Sequence, residues 1–113
     1  MKLLVLVLNR PDKLNKLLHE FNDHEIRGAT ILESTGMAHT LMSDDDHLFG
    51  SWRRFLDPDR KESKTIYMVL EDEKISEVIE IIESVIGSLN KPDAGIVFTI
   101  PVDYVKGIVK SDI

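Results

Sequence analysis

Two histidines flank a run of acidic residues in the middle of the sequence, where side chains could together bind a metal ion. His39 and His47 lie on either side of Asp44 to Asp46. Imidazole nitrogens and carboxylate oxygens are common ligands of zinc and of harder divalent cations. No two histidines have the H-x-x-x-H spacing that places both ligands on one helix face. A solvated acidic run is the simpler interpretation, and we predict no metal ligands.

Signatures of catalysis are missing from the sequence. There is no cysteine, and therefore no thiol nucleophile and no cysteine-ligated zinc. The patterns G-x-S-x-G, G-x-x-x-x-G-K-[ST] and G-x-G-x-x-G do not occur either. Glu71, Asp72 and Glu73 fall where a helix is predicted to begin, and acidic residues stabilise that position without any catalytic role. The sequence therefore predicts a protein that is not an enzyme.

Composition limits the classes of partner. The 113 residues suffice for one domain, and 42% hydrophobic with 30% charged residues is ordinary for a globular protein. The net charge is −6, whereas phosphate neutralisation needs a surplus of basic residues, so we predict no nucleic-acid partner. The apolar run from Leu3 to Leu8 is far shorter than the roughly 20 residues that span a bilayer. It also lacks a signal-peptide cleavage site, and we predict a cytoplasmic protein without membrane insertion.

Hydrophobic periodicity predicts two strand–helix–strand units separated by a long connection. The predicted strands are 2–8, 26–34, 64–70 and 95–100, and the predicted helices are about 11–22 and 72–87. The last strand opens at Gly95 with β-branched and aromatic residues and stops at Pro101. We expect it to be buried in a sheet, with a turn or short helix after it.

This order of elements predicts an α+β, ferredoxin-like βαββαβ fold. Two helices would pack on one face of a four-stranded antiparallel sheet. The first strand is apolar on both faces, as in Leu4-Val5-Leu6-Val7. The sheet face opposite the helices then needs cover, and association with further copies of the chain is the natural way to supply it.

The connection 37–63 is longer than a plain loop, because loops beyond about 12–15 residues usually have a function or fold locally. A short helix is predicted over 44–56, with an apolar stripe on one face. The stripe consists of Leu48, Phe49, Trp52, Phe55 and Leu56. The helix could lie on its own domain or on a neighbouring subunit, dock on a partner protein, or bind a membrane surface.

The whole chain, treated as a single domain over residues 1–113, resembles the PII nitrogen-regulatory family of trimeric signalling proteins. The residues that show the resemblance are Ile26-Arg27-Gly28-Ala29-Thr30, Gly36, Gly95-Ile96-Val97-Phe98-Thr99-Ile100-Pro101-Val102 and Val105. The resemblance implies a homotrimer with ligand-binding clefts between subunits. It also implies that 37–63 is the large loop with which the family contacts its targets, so Leu48, Phe49, Trp52 and Phe55 become partner-binding residues.

The same resemblance assigns a nucleotide-type ligand site to this chain. Thr30 matches the threonine near the adenine, Val69 matches the strand backbone that reads the adenine edge, and Gly36 lies at the root of the loop. The full set of candidate ligand-binding residues is Thr30, Gly36, Met37, Ala38, Val69, Lys91 and Gly95.

Several positions depart from the family pattern. Ala38 stands in place of the second loop glycine, and Thr40 in place of the glutamine expected after it. Of the glycine- and lysine-containing phosphate loop, only Gly95 remains. The two C-terminal arginines that neutralise phosphates correspond to Gly107 and Val109. Losing three cations that each contribute about 1.5–3 kcal/mol predicts weak or absent ATP binding, even where Lys91, Lys106 and Lys110 compensate in part.

Three functions follow from these expectations. The first is a non-enzymatic PII-like regulator with an unidentified small effector and an unidentified target protein, and a role in nitrogen regulation by resemblance. The second is a metal-binding trimer of the CutA type, with His39, Asp44 to Asp46 and His47 as ligands. The third is an amino-acid-sensing module like the ACT domains, which share the strand order.

Overall fold

The computed structural model of the protein describes residues 1–44, 62–91 and 94–108. In chain order its elements are β1 (Lys2–Leu8), α1 (Leu14–Asp23), β2 (Ala29–Ser34), α2 (Met37–Asp44), β3 (Ser63–Leu70), α3 (Ile75–Ile86) and β4 (Gly95–Pro101). Short 3₁₀ turns at Pro11–Lys13 and Asp72–Lys74 lead into α1 and α3. The strands form one sheet in the order β2-β3-β1-β4, and every described pairing is antiparallel.

Strand β1 is central because its residues are apolar on both faces. Leu4, Leu6 and Leu8 are fully buried and point to the helix layer, and Val5 on the other face is also buried. Each fully buried leucine contributes about 1.5–3 kcal/mol relative to an exposed one. The ferredoxin-like α+β fold predicted from the order of elements is confirmed.

Helices α1 and α3 pack against one face of this sheet. Both are amphipathic, and their apolar residues at helical spacing face the core. The core comprises Leu4, Leu6, Leu8, Leu17, Phe21, Ile26, Ile66, Met68, Val78, Ile81, Ile82 and Val85. Truncating Phe21, the largest of the fully buried side chains, to alanine would cost about 3–5 kcal/mol.

The boundary between α1 and β2 differs from the predicted one. The amide of Ile26 donates to the carbonyl of Phe21 at 2.8 Å, and the amide of Glu25 donates to that of Asn22 at 3.0 Å. This is a Schellman motif, and it places Glu25 in the left-handed region at φ 62°. Because these residues close the helix, β2 begins at Ala29 and not at residue 26 as predicted.

The connection after β2 also differs from the prediction. Its first eight residues form α2, Met37–Asp44, which periodicity did not indicate. The amide and the hydroxyl of Thr40 both donate to the carbonyl of Gly36, at 3.0 and 2.9 Å, and so fix the first turn. Apart from Asp44, the predicted helix 44–56 lies outside the described residues.

Strand β4 is an edge strand, and the expectation that it is buried in the sheet was wrong for the single chain. Phe98 is 45% exposed and Ile96 is 61% exposed, because both project from the sheet face opposite the helices. Ile100 and Tyr67 on the same face are also exposed. We call this surface, formed by Leu3, Val5, Val7, Thr65, Tyr67, Val69, Ile96, Phe98 and Ile100, the open face.

Candidate functional site

The predicted ligand residues lie at two opposite ends of the sheet. At one end Leu8 pairs with Gly95, and Ser34 pairs with Ser63; we call this the loop-root end. At the other end Lys2 pairs with Leu70, and Ala29 pairs with Met68; we call this the cavity end. Val69 lies six positions beyond Ser63 along β3, which corresponds to about 20 Å.

The loop-root end contains most of the predicted site. Gly36 lies between β2 and α2, Met37 and Ala38 begin α2, and Gly95 begins β4. Met37 is 76% exposed, whereas Ala38 is half-buried. Lys91 is exposed in the turn before β4, where its amide donates to the carbonyl of Ser88 at 3.3 Å.

A chain of hydroxyl groups closes the loop-root end. The Ser34 and Ser63 hydroxyl oxygens are 2.7 Å apart, and the Thr65 hydroxyl donates to Ser34 at 2.8 Å. Ser63 is buried, being only 4% exposed. Since Ser34 and Ser63 form the last pair of the β2–β3 ladder, these bonds join the two strands between which 35–62 runs.

The backbone geometry at position 95 requires a glycine. Its φ is 144°, and a Cβ atom added there would lie 2.5 Å from the carbonyl oxygen of Val7. No side chain fits at that distance. Gly95 therefore has a structural reason to be glycine, and its presence does not by itself indicate a phosphate-binding loop.

A cavity of about 500 Å³ occupies the opposite end. It forms where the β2–β3 ladder stops at Ala29–Met68 while β1 and β3 continue to Lys2–Leu70. Its walls are the α1–β2 turn, the end of β3, the start of the 3₁₀ turn before α3, and the C-terminal tail. The lining residues are Met1, Glu25, Ile26, Arg27, Gly28, Val69, Leu70, Glu71, Lys74, Val105, Lys106, Gly107 and Ile108.

Of the predicted ligand residues, only Val69 lines this cavity. Thr30 lies on the neighbouring strand, directly opposite Tyr67, and is exposed. The structure therefore places Thr30 and Val69 towards the cavity end. The other predicted ligand residues lie at the loop-root end of the same chain, away from Thr30 and Val69. They are Gly36, Met37, Ala38, Lys91 and Gly95.

The charged groups around the cavity differ in how they are held. Arg27 donates to the Asn22 side chain at 2.8 Å, and Lys74 pairs with Glu77 at 3.5 Å. The side chains of Glu25 and Lys106, in contrast, have no hydrogen bond or ion pair among the residues that the structure describes. The cavity thus carries one carboxylate and one ammonium group that are not engaged by neighbouring side chains.

The chain start is fixed beside this cavity. The N-terminal ammonium of Met1 donates to the Asp72 carboxylate at 2.9 Å, and Lys2 lies 3.6 Å from the same oxygen. The hydrogen bond from the ammonium group, assisted by the charge of Lys2, holds the pKa of Asp72 below its ordinary value. The amide of Val102 also donates to the carbonyl of Met1, which holds the start of the tail next to β1.

Sequence reasoning missed the roles of Glu25 and Lys74 as cavity residues. The segment Asn22-Asp23-His24-Glu25 has no glycine, so nothing in the sequence marked the left-handed position that Glu25 occupies. Lys106 was considered only as a substitute cation for phosphate. Gly107, which the resemblance matches to a phosphate-neutralising arginine, also lines the cavity, and glycine supplies no charge there.

Two sets of predicted site residues fall in the connection from β2 to β3. The partner-binding residues Leu48, Phe49, Trp52 and Phe55 lie outside the described residues, as do Asp45, Asp46 and His47 of the metal alternative. In the part of the chain that the structure describes, no three His, Asp or Glu side chains form a group that could bind a metal ion. No helix among the described residues is long and apolar enough to cross a membrane.

Comparison with known families gives one match over almost the whole chain. The family model described as Nitrogen regulatory protein P-II matches residues 1–111. No curated protein matches the chain significantly. The family match covers both ends of the sheet, the connection from β2 to β3 and the tail that lines the cavity.

Proposed function

The chain belongs to the P-II nitrogen regulatory protein family, and we propose that it acts as a trimeric PII-like regulator. Members of this family are regulatory proteins rather than enzymes, and they typically form trimers and bind target proteins. In this proposal residues 1–113 form a single cytoplasmic domain. A small effector binds between subunits, and 37–63 contacts a target protein in nitrogen regulation.

The open face is the observation that supports assembly most strongly. Tyr67 lies opposite Val5, and Val5 lies opposite Phe98, so large apolar side chains form a continuous row across three strands. Tyr67 and Phe98 are each more than 40% exposed in the single chain. An apolar surface of this extent on one side of a sheet is usually covered by another protein surface. Sister copies in a closed ring would cover it in every subunit.

Assembly also accounts for the division of the predicted ligand residues. Residues at the loop-root end and at the cavity end cannot touch one ligand in the same chain, because about 20 Å of strand separates them. In a ring, the loop-root end of one copy can face the cavity end of the next. We propose that each effector site is completed in this way, so that the effector changes the position of 37–63.

We further propose that this chain binds ATP weakly or not at all. Gly107 lines the cavity where the family has a phosphate-neutralising arginine, and Gly95 is explained by the backbone without any phosphate. Charge-assisted contacts contribute about 1.5–3 kcal/mol each, so losing three lowers affinity roughly a thousand-fold or more. A calorimetric titration giving a low-micromolar dissociation constant for ATP would contradict this proposal.

The assembly proposal is tested by measuring the molar mass in solution by light scattering. We expect three times the chain mass of 12.9 kDa. Phe98→Glu places a charge on the open face and should give a folded monomer, judged by an unchanged circular dichroism spectrum. Ser76→Glu, which adds the same charge at an exposed position of α3, should remain a trimer. A monomeric wild-type protein, or a trimeric Phe98→Glu variant, would contradict the proposal.

The target-binding proposal is tested through Trp52. We expect the immobilised protein to capture a specific protein from an extract of its own host, and Trp52→Ala to abolish that capture. Lys61→Ala, in the same connection, serves as the control and should leave capture unchanged. Equal capture by wild type and Trp52→Ala would remove the aromatic stripe from the proposed interface.

A further inference from the structure

The backbone at Glu25 is the starting observation. Glu25 occupies the C′ position of a Schellman motif at φ 62°, and among the described residues it is the only one other than glycine with a positive φ. Glycine is the preferred residue there because a Cβ atom is strained in the left-handed region. Strained residues of this kind concentrate at ligand-binding positions. Glu25 also lines the cavity, so its side chain has a use that glycine could not supply.

The surroundings of Glu25 indicate the chemistry of the ligand. Among the described residues, the Glu25 carboxylate and the Lys106 ammonium are cavity groups with neither a hydrogen bond nor an ion pair, whereas the Arg27 guanidinium is held by Asn22. The rest of the wall includes apolar residues, with Val69 and Leu70 on β3 and Val105 and Ile108 on the tail. Val105 and Ile108 are 38% and 43% exposed, so an apolar ligand group could still bury much of their surface.

We propose that this cavity binds a small zwitterion with an apolar body, of the chemical class of the apolar amino acids. The Glu25 carboxylate receives the ligand's ammonium group, and the Lys106 ammonium receives its carboxylate. The apolar body lies against Val69, Leu70 and Ile108. The volume of about 500 Å³ lies within the range of small-molecule pockets. This inference rests on the proposed function, because it names the effector class for the cavity end of the same site.

Calorimetry with three matched probes tests the proposal. Phenylalanine carries both charges, phenethylamine only the ammonium group, and 3-phenylpropionate only the carboxylate. We expect phenylalanine to bind, and each of the other two to bind at least about tenfold more weakly. Equal affinity for phenylalanine and either single-charge probe would overturn the proposal. Binding of adenosine by a protein that does not bind phenylalanine would overturn it as well.

Two substitutions of Glu25 separate binding from folding. Glu25→Gln keeps the shape and should lower phenylalanine affinity about tenfold with an unchanged melting temperature. Glu25→Gly should lose the same affinity while raising the melting temperature by about 4 °C, because it relieves the left-handed strain. Unchanged affinity in either variant would overturn the role of Glu25. Glu80→Gln, an exposed carboxylate away from the cavity, is the control and should change neither quantity.

Lys106 and Gly28 provide two further variants. Lys106→Gln should lower phenylalanine affinity about tenfold, whereas the exposed Lys16→Gln on α1 should not. A Cβ atom at Gly28 meets nothing within 4 Å, so Gly28→Leu should fill the cavity and block binding without unfolding the chain. Full affinity in a folded Gly28→Leu variant would place the ligand elsewhere.

The failure of this inference is distinguishable from the failure of the proposed function. Glu25 and Lys106, the two groups proposed to bind the ligand's charges, line a cavity formed within the single chain. A monomeric Phe98→Glu variant should therefore retain binding of phenylalanine, even though the contacts proposed from a neighbouring copy are lost. A trimeric wild type that binds none of the three probes would overturn the inference and leave the trimeric regulator standing.

Discussion

The two ends of the sheet are built differently. The loop-root end is tightly packed, with Gly95 against the carbonyl of Val7 and the hydroxyl groups of Ser34, Ser63 and Thr65 joined in a chain. The cavity end is open, because the β2–β3 ladder stops before β3 does, and Gly28 borders empty space. The first end has little freedom and holds the connection 35–62, while the second has room for a ligand. The contrast indicates that substitutions should cost stability at one end and binding at the other.

The largest expected effect concerns two glycines, one at each end. Gly95→Ala should lower the free energy of unfolding by about 3 kcal/mol, because the new Cβ would collide with backbone at a φ unfavourable for alanine. Gly28→Ala should change it by less than about 0.5 kcal/mol, because nothing lies near its Cβ position. Urea denaturation of both variants measures the difference. Equal stabilities would show that the two ends are not differently constrained.

A smaller effect is expected from the hydroxyl chain. Thr65→Val keeps the shape of the side chain but removes the donor to Ser34, and should lower stability by about 1 kcal/mol. Thr30→Val is the matched control, since no hydrogen bond of the Thr30 hydroxyl is found among the described residues. The same urea experiment compares them. A cost at Thr30 as large as that at Thr65 would contradict the role given to the hydroxyl chain.

The smallest effect is a dependence of stability on pH at the cavity end. The pKa of Asp72 is lower in the folded chain than its ordinary value of 3.8, owing to the N-terminal ammonium and Lys2. The ion pair therefore stabilises the fold above that value, and the contribution is lost as the pH falls through the folded pKa. Wild type should unfold at a higher urea concentration than Asp72→Asn at pH 6, with the difference vanishing in acid.

Asp103→Asn serves as the control for this pH dependence, because Asp103 is an exposed carboxylate without an ion pair among the described residues. Its urea midpoint should follow that of wild type across the whole pH range. A constant difference between wild type and Asp72→Asn from pH 6 into acid would show that Asp72 acts through something other than its charge.

The fold was predictable from the sequence because it depends on periodicity. The continuous apolar run of β1 and the helical spacing in α1 and α3 leave few arrangements for a βαββαβ order. The exposed state of β4 was not predictable in the same way. Ile96 and Phe98 are apolar yet exposed in the single chain, and an apolar strand in the sequence does not show whether its side chains are buried in the chain's own core.

The candidate site was predictable only in its parts. Resemblance predicted Thr30, Val69 and Gly95 as ligand residues, but their distribution over two ends depends on strand register, which the resemblance alone does not give. The position of Glu25 in the cavity wall was missed because it depends on a backbone conformation that a residue other than glycine rarely adopts. The helix α2 was missed because its apolar residues do not form a clear stripe.

The central claim is that the two ends meet between copies of the chain, and cross-linking tests it most directly. The chain has no cysteine, so Gly28→Cys with Met37→Cys introduces one exposed thiol at each end. The two thiols of one chain are too far apart for a short bis-maleimide, at about 20 Å. We predict covalent dimers and trimers on a denaturing gel, absent when Phe98→Glu is added. Monomers alone, from protein in which both thiols react with a single maleimide reagent, would contradict the claim.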